Sequence, residues 1–308
     1  MTTHIRGSVG EGVRPRGHER PPVAPPRALA TSILKRLGRP LVRVLLTVVA
    51  LFWLMPVIGL LVASLRPESG NAGSGWWTVF AAPTQLTLAN YAALLGDSAM
   101  VRSFWNTVLI AVPSTVLVVA IGSLAGYALA WMEFPGRDWL MLVVVALLVV
   151  PIQVALIPVA RLFGATGLFG TIAGVVLFHV AFGLPFAVFL LRNFFAGIPR
   201  DLLEAARIDG GREWHVFTRV VLPVGLPAIA SLAIFQFLWV WNDLLVALVF
   251  ADQDSAPITI ALRGQLRQFG SNVDLLASGA FLSMIVPLVV FFSFQRYFVQ
   301  GVLAGSTR

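Results

Sequence analysis

The chain has no cysteine, and its four histidines (His4, His18, His179 and His215) are scattered with no ligand spacing such as H-x-x-x-H. Disulfides, thiolate metal sites and a histidine-built zinc site are therefore excluded. No G-x-x-x-x-G-K-[ST] run occurs, and Lys35 is the single lysine, so the chain has no phosphate-binding loop of that kind. No catalytic residue, metal ligand or cofactor of its own is expected. Charged residues cluster instead in one segment, about 198–223, which reads IPRDLLEAARIDGGREWHVFTRVVLP and holds Glu204-Ala205-Ala206, Asp209-Gly210 and Leu222-Pro223. Outside it, a few polar side chains interrupt apolar runs: Gln153, His179, and Asn242 with Asp243. The chemistry on offer is recognition, not bond-making.

Local rules describe what positions the charged segment. Pro199 suits a first helical turn, where its missing N–H is no loss. Asp201 and Glu204 lie near that N-terminus, where the helix dipole favours negative charge. Leu202, Leu203, Ala205, Ala206 and Ile208 give the helix an apolar side. Gly210-Gly211 ends it, because glycine adopts the left-handed cap conformation without penalty. Trp214, Phe217 and Val221 then recur at helical spacing opposite Arg212, His215 and Arg219, an amphipathic basic helix. The prediction is a helix-turn-helix. On these residues alone it either lies on a membrane or docks a partner.

The rest of the chain needs a bilayer. It is 58% hydrophobic and 12% charged, with a mean hydropathy of +0.86; soluble domains are about 45–50% apolar and about 25% charged. Six apolar runs are long enough to span, each near the roughly 20 residues required: 44–65, 107–132, 139–160, 171–191, 224–250 and 275–294. Prolines 113, 151, 158 and 185 are expected to kink or interrupt them. Residues 1 to about 38, rich in proline, glycine and arginine, read as a disordered tail. The following apolar stretch is too long for a cleavable signal peptide. With the N-terminus in the cytoplasm, nine basic residues up to Arg43, Arg137, five in the second inner loop, Arg296 and Arg308 lie inside, against five outside. That bias obeys the positive-inside rule, with both termini cytoplasmic. It also explains the net charge of +8 without nucleic acid. Trp76 and Trp77 read as interfacial anchors, His179 as a satisfied bundle residue. Gln153 and Asp243 read either as helix-packing groups or as part of a solute pathway.

The charged segment resembles the EAA loop of ABC importer permeases, whose pattern is E-A-A, three residues, G, nine residues, I-x-L-P. Here Glu204-Ala205-Ala206, Gly210 and Val220-x-Leu222-Pro223 match it, with valine for isoleucine the one departure. The resemblance runs from about Val44 to Ala304. Pro151-Ile-Gln153, Ile157-Pro158, Gly167-Leu168, Leu191-Arg-Asn-Phe-Phe195, Trp241-Asn242-Asp243 and the Gln295–Gly301 ending are similar to the carbohydrate branch, in particular its smaller maltose-type subunits. It implies an all-α fold of six transmembrane helices over residues 39–308. It also implies a bacterial cytoplasmic-membrane location and a complex with a second permease subunit, an ATPase dimer holding ATP and Mg, and an extracytoplasmic binding protein. Glu204, Ala205, Ala206, Asp209, Gly210, Leu222 and Pro223 would couple to the ATPases. Gln153, Asn242 and Asp243 would line the solute path. The rival readings are a permease for a glycerol-phosphate-type or other non-sugar solute, an ion-coupled secondary transporter, and a membrane scaffold. One Asp and one His in six spans is little for ion coupling.

Overall fold

In hydrocarbon a backbone must bond to itself, so long apolar runs become helices. The computed structural model describes residues 27–268 and 273–306, with side chains at 40–265 and 274–295. Two units are distinguished, Met1–Met55 and Pro56–Arg308. The expected tail lies outside the described residues as far as 26. From Arg27 the backbone is helical, in α1 (Arg27–Ser64), whose membrane-length stretch is Pro40–Ser64.

Beyond α1 come the short helices α2 (Glu68–Gly73) and α3 (Ala89–Gly96), then α4 (Ser98–Trp131), α5 (Arg137–Leu148), α6 (Ile152–Thr166) and α7 (Ile172–Ala196). The sequence continues with α8 (Arg200–Ile208), α9 (Glu213–Val216), α10 (Leu222–Trp241), α11 (Leu245–Phe250), α12 (Ile258–Gln268) and α13 (Val273–Ser306). Among the described residues, five helices are long and apolar enough to cross a membrane, six if the bent pair α5–α6 counts as one span. No strand of a sheet occurs among the described residues; Gly170 and Ala251 form an isolated bridge.

Two of the expected spans are broken. The run 139–160 turns by 102° between α5 and α6. Pro151 stands at the break: it disfavours helical backbone at Val150 and donates no hydrogen bond. The run 224–250 breaks after Trp241 and restarts as α11. The Asp243 carboxylate, one residue before the N-cap Leu244, accepts from the backbone N–H of Val246 (3.3 Å) and Ala247 (3.0 Å), two first-turn donors that would otherwise lack a partner, which makes the restart favourable. Pro113, Pro158 and Pro185 were expected to interrupt helices too, yet α4, α6 and α7 run through them. Neighbouring packing re-satisfies the freed groups inside a membrane bundle.

The core is the α4–α7 seam with α10 and α13 against it. Gly122 and Gly126, one turn apart on α4, let the two backbones meet. A Cβ on Gly122 would fall 2.8 Å from the Ala187 Cβ, and one on Gly126 would fall 3.0 Å from the Arg192 nitrogen. This is the small-xxx-small contact that membrane helices use where burial of apolar surface gives no drive. The Trp131 indole N–H donates to the Phe195 carbonyl (2.9 Å), tying the ends of α4 and α7, and that of Trp241 donates to Ser283 (3.1 Å), tying α10 to α13.

After α1, Arg66 is wholly buried. Its guanidinium donates to the carbonyls of Gly70 (2.7 Å), Gly75 (3.1 Å) and Ser74 (3.3 Å) and to the Gln85 side chain (3.2 Å). A charge count treats this residue as a loop cation; in the structure it is the peg of the loop. In the 251–257 turn, hydrogen bonds from the Ser255 backbone and hydroxyl hold the Asp252 carboxyl below its usual range. Asn106 on α4 pins that turn through the Asp254 (2.7 Å) and Ala256 (3.1 Å) carbonyls.

Candidate functional site

The charged segment forms α8, a tight corner, and α9. Helix α8, nine residues and about two and a half turns long, is strongly two-sided. Leu203 is 1% exposed and Ala206 packs on the main core, whereas Glu204, Ala205 and Asp209 face outward and Ile208 is 85% exposed. The expected apolar side of α8 is therefore split: Leu203 and Ala206 anchor it, and Leu202 and Ile208 stand free.

The corner is made by two glycines with different duties. Gly210 has φ +83°, the left-handed conformation that L side chains avoid, with open space around it. Gly211 is required by contact: a Cβ there would lie 2.5 Å from the Ala206 carbonyl oxygen, which accepts the Gly211 N–H at 3.0 Å.

Past the corner, the amphipathic helix departs from expectation. Val216, Phe217 and Val221 are buried, while Trp214 is 65% exposed. Leu222 and Pro223 lead into the next span without a break, since Glu213–Trp241 is one helical run. A π-turn over Phe217–Val221, closed by the Leu222 N–H on the Phe217 carbonyl, absorbs the donor that Pro223 lacks. Pro223 itself is exposed and Leu222 half-buried.

Glu213 ties the segment together. Its carboxylate accepts from Arg207 Nε (3.0 Å) and Nη2 (3.3 Å) and from the Tyr127 hydroxyl of α4. Arg207 is in the last turn of α8 and Glu213 in the first turn of α9, each where the helix dipole favours its sign. The Glu213 hydrogen bonds hold Arg207 above its usual range. Because both side chains are more than a third exposed, water screens the ion pair, which by itself is worth under about 1 kcal/mol. The Tyr127 tie is more protected, since that residue is 4% exposed and its ring packs on Phe217 at 5.2 Å. Neither Tyr127 nor Glu213 stands out in the sequence. Opposite charges on the facing ends of two helices across a glycine corner are a signal for Glu213; Tyr127, 86 residues away, leaves none.

Three of the polar residues singled out in the spans, Gln153, Asn242 and Asp243, fall at the helix breaks. Gln153 is exposed in the first turn of α6, just past the Pro151 bend. Asn242 is exposed at the α10–α11 break, its amide donating to the Leu238 carbonyl (2.8 Å). Asp243 beside it turns inward to the first turn of α11. His179, read as a satisfied bundle residue, is satisfied on one side only. Its Nδ1 bonds the Val175 carbonyl (2.9 Å), and its buried Nε2 lies 3.7 Å from the Asp243 carboxylate with no hydrogen bond. No cluster of metal-ligating side chains occurs among the described residues.

The chain is similar to known proteins. The chain is 50% identical over 272 residues (87% of it, 91% of the relative) to the osmoprotective compounds uptake permease protein GgtD of Synechocystis sp.. It is 47% identical over 255 residues (80% of it, 67% of the relative) to the alpha-glucoside transport system permease protein AglG of Rhizobium meliloti. In structure it matches a chain of a bacterial ABC transporter involved in the import of the acidic polysaccharide alginate, with a TM-score of 0.74 at 22% identity, covering 85% of this chain and 97% of that one. At that identity the match speaks to the fold. Residues 119–304, from the second half of α4 through most of α13, match the family model described as binding-protein-dependent transport system inner membrane component, and the chain belongs to that family.

Proposed function

We propose that the chain is a pore-forming permease subunit of an ABC importer for a sugar or small glycoside. It pairs with a second permease subunit above an ATPase dimer that holds ATP and Mg, and it receives solute from an extracytoplasmic binding protein. Family membership supports the transport role, and the relatives' names point to glucosides and related osmoprotective solutes. The carrying observation is the outward face of α8. Glu204 and the bare Ile208 are offered on a short helix whose other face is anchored in the core, the form expected of a docking element. Glu204, Ala205, Ala206, Asp209 and Gly210 make the contact; Leu222 and Pro223 join it to α10. Closure of the ATPases on ATP moves this element and biases the subunit between inward- and outward-facing states. Gln153, Asn242 and Asp243, at the two helix breaks, lie on the solute path, because irregular backbone at membrane depth is tolerated where it lines a cavity. The bent α5–α6 pair completes a sixth crossing, and the bilayer is that of the bacterial cytoplasmic membrane with both termini inside.

The test uses the complex co-purified through a tag on this chain. Glu204→Lys replaces attraction with repulsion at the docking face, a change of roughly 2–5 kcal/mol for a desolvated charge contact. It should insert in the membrane normally, lose the ATPase subunits and abolish uptake of a labelled α-glucoside. Full ATPase retention in Glu204→Lys would remove α8 as the docking element. Stimulation of wild-type hydrolysis by glycerol phosphate but by no sugar would shift the substrate class to the rival reading.

A further inference from the structure

We infer that Glu213 is a positioning residue. It fastens the α8–α9 corner to α4 through Tyr127, so that displacement of α8 by a docked partner is delivered to the α4–α7 core. This rests on the coupling role proposed for α8.

Three observations carry it. First, Glu213 is the one carboxylate among the described residues that joins three elements, taking hydrogen bonds from Arg207 at the end of α8 and from Tyr127 on α4 while itself opening α9. Second, the Tyr127 end is rigid. Its ring is buried against Phe217, and one turn below it Trp131 fastens α4 to the Phe195 carbonyl of α7. Gly126, the neighbour of Tyr127, is where α4 and α7 backbones meet most closely at that level. Third, no side chain of the corner itself braces it. Gly210 and Gly211 carry none, and the outer face of α8 is bare. With the Tyr127 hydroxyl removed, the Arg207–Glu213 pair still closes the corner on itself, but the corner loses its polar anchorage to α4. A push on α8 would then reach the membrane helices only through the apolar seats of Leu203, Ala206, Val216 and Phe217, with less of it delivered to α4.

The experiment compares Tyr127→Phe, Glu213→Gln and Glu213→Ala in the intact complex in lipid. Two quantities are read: solute transported per ATP hydrolysed, and amide exchange across residues 202–211. Tyr127→Phe keeps the buried ring and deletes one hydroxyl. It should leave ATPase subunits bound and hydrolysis stimulated by the binding protein, yet lower solute moved per ATP and raise exchange about tenfold, the scale of one lost hydrogen bond to a charged group. Glu213→Ala should do at least as much. Glu213→Gln, whose amide oxygen still accepts from Tyr127, should fall between it and wild type. Tyr127→Phe combined with Glu213→Ala should be no worse than Glu213→Ala alone, since both remove one contact. A general loss of packing would lower the yield of complex without this ordering. Wild-type transport stoichiometry and exchange in Tyr127→Phe would overturn the inference, even if Glu213→Ala fails to assemble. A wild-type complex whose hydrolysis ignores the binding protein would instead sink the coupling reading, and the exchange arm would still decide the anchorage.

Discussion

At the scale of single residues, Asp243 holds two relationships with one carboxylate. It accepts from two backbone N–H groups in the first turn of α11 and faces the buried imidazole of His179 at 3.7 Å. The two can be separated. Asp243→Ala removes both bonds to the first turn of α11 and should lower stability by about 1 kcal/mol, the scale of a lost intramolecular hydrogen bond. Asp243→Asn keeps an amide oxygen that accepts from the same N–H groups and should cost less. Thermal unfolding in detergent, followed by helicity, gives the order. If Asn proves as damaging as Ala, the charge facing His179 and not the pair of bonds to α11 is what the site needs. From sequence, Asp243 is legible as a costly intramembrane carboxylate, but its partners are not. His179 precedes it by 64 positions, and nothing in a linear pattern says that these two turns of α7 and α10 face each other.

At the scale of elements, the α4–α7 seam shows how small residues substitute for hydrophobic drive in a membrane. Gly126→Val would place branched carbons where a single Cβ already meets the Arg192 nitrogen and the Leu191 Cβ at 3.0 Å. Overpacking of this kind costs about 1–3 kcal/mol, and here backbone must yield, not a side-chain tip. The expected result is a lowered melting temperature and loss of transport, with Gly164→Val, at a glycine with open space on α6, as the control for helix propensity alone. Equal melting temperatures for the two variants would mean that the seam opens without penalty. The bend between α5 and α6 belongs to this scale too. Proline at 151 marks where a break is permitted, but Pro113, Pro158 and Pro185 carry the same covalent signal inside unbroken helices. Which proline ends a helix depends on whether neighbours can satisfy the carbonyl it frees.

At the scale of the whole molecule, the proposed orientation rests on charge. Arg192, Arg200, Arg207, Arg212 and Arg219 lie at or between the facing ends of the spans Ile172–Ala196 and Glu213–Trp241, and basic residues so placed favour the cytoplasmic side. The chain is free of cysteine, so single cysteines report cleanly. Ile208→Cys, at the most exposed large apolar residue of α8, should resist an impermeant maleimide added outside intact cells and react once the cells are opened. Ser69→Cys, after the first span, should react from outside. The reverse pattern would invert the topology and with it the docking face.

The sequence by itself determined what depends on solvent and on local geometry. A chain so apolar had to place its backbone in helices. Asp201 in the first turn of a helix and Gly210 past its end are near-neighbour matters, so α8 and its corner are readable one residue at a time. The E-A-A…G…L-P spacing pointed to the transport family before any coordinates. Tertiary structure alone decided what depends on distant neighbours: that Trp214 is left out of the core and Val216 taken in, and that the basic helix runs unbroken into α10. It also decided that Arg66 is a buried peg, and that Tyr127 reaches Glu213. The physical reason is common to all four. Burial and hydrogen-bond pairing are properties of two surfaces meeting, and a sequence pattern describes only one of them.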